Sequence, residues 1–106
     1  MKEIERYEGF GESDNGTSYY LEGREAKNIA TLNKDDIVEE GIIVVDIWVD
    51  KEGRVQKAEI AKKTTIYKTQ MKALALQAAK NSVFSKNDKA ADLQKGTITY
   101  TFIIRQ

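Results

Sequence analysis

A run of alternating side chains from Ile42 to Asp50 constrains the fold more than any other stretch of this chain. Its odd positions are all β-branched: Ile43, Val45, Ile47 and Val49. Because successive side chains of a strand point to opposite faces of a sheet, this spacing predicts a strand with one wholly apolar face. The even positions are mixed and include Asp46 and Trp48. Such a strand needs a second layer to cover its apolar face.

The stretch that follows, VDKEGRV from Val49 to Val55, predicts a hairpin turn. Asp50 can bond its own backbone at the start of the turn, and Gly53 supplies the positive φ that a tight turn requires. A calcium loop is the alternative, since the carboxylates and the glycine partly match its spacing. That alternative puts Trp48 at the first ligand position and lacks flanking helices. We therefore favour the turn, and we expect no metal and no other cofactor.

Three further segments complete the predicted layers. Val55 to Ala61 forms the second strand of the hairpin, with a bulge next to the turn. From Lys68 the apolar spacing changes to three and four residues, which predicts an amphipathic helix. The predicted contact face of the helix comprises Met71, Leu74, Ala75, Ala78 and Ala79. A last strand, Thr97 to Ile104, alternates threonines with isoleucine and aromatic residues.

The order strand, strand, helix, strand predicts an α+β fold of two layers. A right-handed crossover puts the last strand beside the first strand of the hairpin, in an antiparallel three-stranded sheet with the helix over one face. Upstream we expect a short strand at 19–21 and a helical turn or two within 25–33. Residues 1–18 are predicted to be a linker or a loosely ordered lead-in, and residues 19–106 form the domain.

Composition argues against several kinds of function. The chain carries 17 Lys and Arg against 17 Asp and Glu, which leaves no net field to attract nucleic acid or an anionic membrane. It has no histidine and no cysteine, the residues most used in acid–base catalysis and zinc binding. We therefore expect a protein that is not an enzyme and that binds neither nucleic acid nor a small-molecule substrate.

The outer face of the first hairpin strand is unusually apolar for a solvent-exposed surface. Ile42, Val44 and Trp48 share that face. Either residues 19–32 cover it or it is a contact surface. We favour cover by residues 19–32.

Five motifs stand in a specific order and spacing. They are Tyr20-Leu-Glu-Gly-Arg24, Glu40 to Ile60, Thr64-Thr65, Ala78-Ala79 with Phe84, and Lys95 to Phe102. Together they resemble the C-terminal domain of TonB-family energy transducers, particularly the branch found in Bacteroidetes. The resemblance covers about residues 16–104. It departs from the family at 27–33, where a proline-containing segment is usual, and at Lys63, where glycine is common.

This resemblance implies a periplasmic domain, tethered to the inner membrane by a helix and a proline-rich spacer that would precede this chain. Such a domain binds the TonB box of outer-membrane transporters and passes on force from a proton-driven motor in the inner membrane. Contact with the motor proteins would be made through that preceding part.

A sheet edge offers the means of binding. An edge strand exposes unpaired backbone groups, to which an extended peptide can add. We predict that the last strand is such an edge and that its outward residues bind the partner: Thr97, Thr99, Thr101, Ile103 and Arg105. Two alternatives to transporter binding stay open. In the first, the domain is the sensing or scaffolding tail of a membrane-anchored regulator. In the second, it forms a homodimer joined edge to edge through this strand.

Overall fold

The computed structural model describes residues 16–104. In chain order its elements are β1 (Thr17–Tyr20), β2 (Ala26–Asn28), a 3₁₀ turn (Lys34–Asp36), β3 (Gly41–Val49), β4 (Val55–Ile60), α1 (Thr69–Lys80), β5 (Val83–Phe84) and β6 (Gln94–Phe102). The fold is α+β, with one main helix packed on an antiparallel sheet, which confirms the predicted class. Most of the predicted lead-in, residues 1–15, lies outside the described residues.

The main sheet has the strand order β1-β6-β3-β4, and every neighbouring pair is antiparallel. The last strand therefore lies beside the first strand of the hairpin, as right-handed crossover predicts. The predicted short N-terminal strand also exists, although it starts at Thr17, two positions before Tyr19. It adds to the far side of β6, so the sheet has four strands where three were predicted.

The core lies between this sheet and α1. Four residues of β3 are completely buried: Ile43, Val45, Ile47 and Val49. Three residues of α1 are completely buried as well: Met71, Ala75 and Ala79. Alanine at two of these positions lets the helix axis approach the sheet closely, while Tyr100 and Phe102 of β6 fill the remaining space. The predicted faces of β3 and α1 are thus confirmed.

A second, two-stranded sheet joins β2 to β5. The helical turn predicted within 25–33 is wrong, because Ala26–Asn28 is extended and pairs with Val83 and Phe84. Long-range partners also take the next backbone groups: the Ala30 N–H donates to Ser82 Oγ, and the Ala30 carbonyl accepts from Tyr100 Oη. These contacts outweigh the weak local preference of the segment for a helix.

Helix α1 begins without a cap from its own neighbours. The first position outside the helix is Lys68, whose side chain makes no capping hydrogen bond. Instead the Glu39 carboxylate accepts from the backbone N–H groups of Tyr67 and Lys68, at 3.1 and 3.0 Å. A carboxylate distant in the sequence thus supplies negative charge where the helix dipole favours it.

Candidate interaction edges of the sheet

The last strand, β6, is not an edge. β1 pairs along it from Tyr20–Thr97 to Thr17–Tyr100, and the Thr101 N–H donates to the Gly16 carbonyl at 2.8 Å. Hydrogen-bonded and non-hydrogen-bonded pairs alternate along an antiparallel ladder, so the N–H and C=O groups of Thr97 and Thr99 also point toward β1. The prediction of a free edge here is therefore wrong, because β1 already fills it.

The structure brings only some of the predicted binding residues together. Thr97, Thr99 and Thr101 stand half-buried in one row on the outer face, opposite Asp46, Val44 and Ile42 of β3. Ile103 follows the end of β6 and is 45% exposed. Arg105 lies outside the described residues.

The second hairpin strand, β4, ends the four-stranded sheet on its other side. The Ala61 N–H donates to the Val44 carbonyl, which makes Asp46–Glu59 the next hydrogen-bonded pair of the ladder. The N–H and C=O groups of Ala58 and Ile60 then point away from β3. Within residues 16–104 no strand pairs with these groups.

Both ends of this β4 edge are closed. At its start a bulge interrupts the β3–β4 register at Gln56, as the sequence predicts, and Arg54 forms a bridge with Val83 of β5. At its other end β4 stops at Ile60, and the chain that follows continues next to β3. There Thr64 Oγ1 accepts from the Val44 N–H at 2.9 Å. The Thr65 N–H donates to the Ile42 carbonyl at 2.9 Å. The accessible edge of β4 is thereby limited to residues 57–60.

The outer face of the sheet carries an aromatic ring between two cations. Trp48 pairs with Lys57 of β4 on one side and with Lys95 of β6 on the other. Their ammonium groups lie 4.8 and 5.5 Å from the Trp48 ring, within the range of cation–π attraction. Leu21 and Leu32 of the segment 19–32 join the core on the opposite side of the sheet, so these two residues do not supply the predicted cover.

The hairpin turn is confirmed and is held by Asp50. Its Oδ1 accepts from the Arg54 N–H at 2.9 Å and its Oδ2 accepts from Gln56 Nε2 at 2.7 Å. The backbone bond from Arg54 is the main cause that lowers the pKa of the Asp50 carboxyl below its ordinary value. Gly53 has a φ of 95°, as the turn requires.

A buried arginine, which no periodicity in the sequence predicts, joins this turn to the rest of the chain. Arg24 is 5% exposed. The sequence marked this residue only as the end of the motif Tyr20 to Arg24, which gave no indication that it is buried. Arginine is seldom fully buried unless it has a partner, and the partners of Arg24 are brought to it by the tertiary structure.

Neither a metal-binding cluster nor a membrane-spanning helix is found among residues 16–104. No group of three potential metal ligands there lies close enough to hold an ion. In the same part of the chain, no helix combines the length and the apolar character needed to cross a bilayer.

Comparison of the chain with models of protein families, with curated proteins and with solved structures finds no match in any of the three. The TonB-type resemblance therefore rests on the quoted motifs alone.

Proposed function

We propose that this domain binds an extended peptide of a partner protein, which adds as a strand to the outer edge of β4. The observation that carries this proposal is the pair of residues Ala58 and Ile60, whose backbone groups face away from the sheet. Strand addition satisfies these groups, and the side chains of the peptide then supply specificity.

The partner we propose is the TonB box of an outer-membrane transporter. The motif order from Tyr20 to Phe102 supports this choice, and the α+β fold with one helix on the sheet is compatible with it. Under this proposal the domain lies in the periplasm and transmits force from a motor in the inner membrane. Its link to the motor proteins runs through a segment that would precede this chain.

The short edge predicts weak binding. Two residues with one N–H and one C=O each offer four hydrogen bonds, and a net gain of about 0.5 to 1.5 kcal/mol for each gives about 2 to 6 kcal/mol. Ordering of the peptide and the loss of its free motion reduce this sum, so the Kd is micromolar or weaker. A contact of that strength can release readily, which suits a transient mechanical coupling.

The test is an amide-shift titration of the ¹⁵N-labelled domain with synthetic TonB-box peptides. We expect saturable shifts centred on 57–60. Ala58→Pro removes the outward N–H and abolishes these shifts. Ala58→Val is the control, because valine is similar in volume to proline but keeps the N–H, and it retains the shifts. Equal loss from both variants would contradict backbone pairing as the source of affinity.

The titration also separates other modes of binding. Shifts confined to Thr17–Tyr20 and 97–101 would mean that a peptide replaces β1, and they would overturn the assignment to β4. An absence of shifts would overturn peptide binding altogether.

The two alternatives predict different results. Dimerisation through β6 requires β1 to leave, whereas dimerisation through β4 meets the bulge at Gln56 and the charge of Lys57, features that protect edges against self-association. Sedimentation equilibrium of a concentrated sample therefore yields a monomer if the proposal holds. A regulator tail would bind a partner other than TonB-box peptides.

A further inference from the structure

A groove of about 180 Å³ lies between α1 and the chain that follows β2. One wall is a single stripe of the helix, formed by Leu74, Gln77, Ala78 and Asn81. The other wall comprises residues 30–33 together with Asp36 of the 3₁₀ turn. We name this space the β2–α1 groove. It is separate from the β4 edge.

The groove combines an apolar floor with a polar rim. Four lining residues are aliphatic: Ala30, Leu32, Leu74 and Ala78. Five are polar and carry side-chain acceptors: Thr31, Asn33, Asp36, Gln77 and Asn81. Within the described part of the chain, none of these five side chains makes a hydrogen bond or an ion pair. The rim thus presents acceptors that are not used inside the domain.

The electrostatics of the groove favour a cation. Asp36 is the only charged residue that lines it. Gln77 and Asn81 belong to the last turn of α1 and its cap, where the carbonyl ends of the helix dipole attract positive charge. Lys34 and Lys80 lie on the same two elements but do not line the groove.

We propose that the β2–α1 groove is a docking site for the side chain of an arginine presented by a partner polypeptide. The three-carbon stem of arginine matches an aliphatic floor, and its planar guanidinium carries five donors for a rim of several acceptors. A lysine brings only three donors on a compact ammonium. An anion would meet Asp36, and a wholly apolar group would leave the rim without partners.

This inference does not depend on strand addition, because the groove and the β4 edge are formed by different residues. A variant that loses binding at one of these sites therefore keeps binding at the other. A partner that uses both would gain affinity through effective concentration.

The experiment titrates the ¹⁵N-labelled domain with N-acetyl-arginine amide and, separately, with N-acetyl-citrulline amide. Citrulline has nearly the same shape but no charge, so it isolates the guanidinium. We expect saturable shifts of Asp36 and Asn81 and of the Gln77 side-chain amide with the arginine compound only. Equal shifts with both compounds, or shifts centred elsewhere, would overturn the proposal.

Matched variants test the role of the carboxylate. Asp36→Asn weakens binding by about two- to fivefold, the range of a partly exposed ion pair. Asp35→Asn changes the net charge equally in the same 3₁₀ turn, but Asp35 does not line the groove, so affinity stays unchanged. Gln77→Glu adds a second carboxylate to the rim and strengthens binding. Equal effects of the two aspartate variants would indicate attraction by net charge alone and would refute a specific site.

Discussion

The Arg24 guanidinium joins two distant loops through a pair of backbone carbonyls. Its Nη2 donates to the Asp50 carbonyl at 3.0 Å, and its Nη1 donates to the Ser85 carbonyl at 2.9 Å. No carboxylate in the described part of the chain forms an ion pair with it. Carbonyl dipoles therefore hold a buried charge, and they do so at the turn that sets the register of the β3–β4 hairpin.

We expect Arg24→Lys to lower the free energy of unfolding by about 2 to 4 kcal/mol, because lysine lacks the fork that reaches both carbonyls and leaves buried groups unpaired. Urea unfolding measures the change. Arg54→Lys, at an exposed arginine of the same turn, serves as the control and changes stability little. Equal stabilities of the two variants would contradict the bridging role of Arg24.

Two glycines of positive φ allow a comparison of backbone strain with steric collision. Gly53 has a φ of 95°, and a Cβ added there would collide with the Phe84 carbonyl. Gly23 has a φ of 75°, but the nearest atom to its Cβ would lie 3.9 Å away, on the Asn87 side chain. We expect Gly23→Ala to cost about 1 kcal/mol and Gly53→Ala about 3 kcal/mol or more in thermal or urea unfolding. Similar losses of unfolding free energy in the two variants would mean that the positive φ, and not the steric collision, accounts for both.

The Glu39 carboxylate stabilises the start of α1 from outside the helix. Glu39→Ala removes its bonds to Tyr67 and Lys68, and we expect a loss of about 1 kcal/mol. Glu39→Gln keeps an acceptor but no charge and should lose about half as much. Urea unfolding in low salt measures both, with the exposed Glu22→Ala as the control. An effect of Glu22→Ala as large as that of Glu39→Ala would rule out a local interaction.

The bonds of Asp50 make the stability of the hairpin depend on pH. Its folded pKa lies below the ordinary value of 3.8, mainly because the Arg54 N–H favours the charged carboxylate. The unfolded state therefore binds the proton more readily. The contribution of Asp50 is fully present above pH 3.8 and is lost as the pH falls through the folded pKa.

The difference in unfolding free energy between the wild type and Asp50→Asn, measured across acid pH, isolates this effect from other carboxylates. We expect the advantage of the wild type to shrink steadily below pH 3.8. A difference that does not vary with pH would show that the charge of Asp50 is not what stabilises the turn.

Residues with a strict local period were predicted well. Ile43, Val45, Ile47 and Val49 repeat every second position, and their complete burial follows from strand geometry once one face is covered. The helix stripe and the bulge at Gln56 follow from local spacing in the same way. Such features depend on near neighbours in the chain.

Features that depend on distant partners were missed. A short N-terminal strand was predicted at 19–21 and lies at Thr17–Tyr20. Its pairing with β6 was not predicted, because any exposed edge of the sheet would satisfy its backbone equally well. That pairing moved the candidate binding edge from β6 to β4.

The amino-acid sequence by itself determined the fold class, the hairpin, the helix and the faces that meet in the core, since apolar periodicity encodes each of them over a few residues. Tertiary structure alone decided which strand stays at an edge, where the charge of Arg24 is buried, and how the unused acceptors around Asp36 come to line one groove. Each of these joins residues far apart in the chain. No local pattern specifies such contacts, because their free energy arises only after the layers have packed.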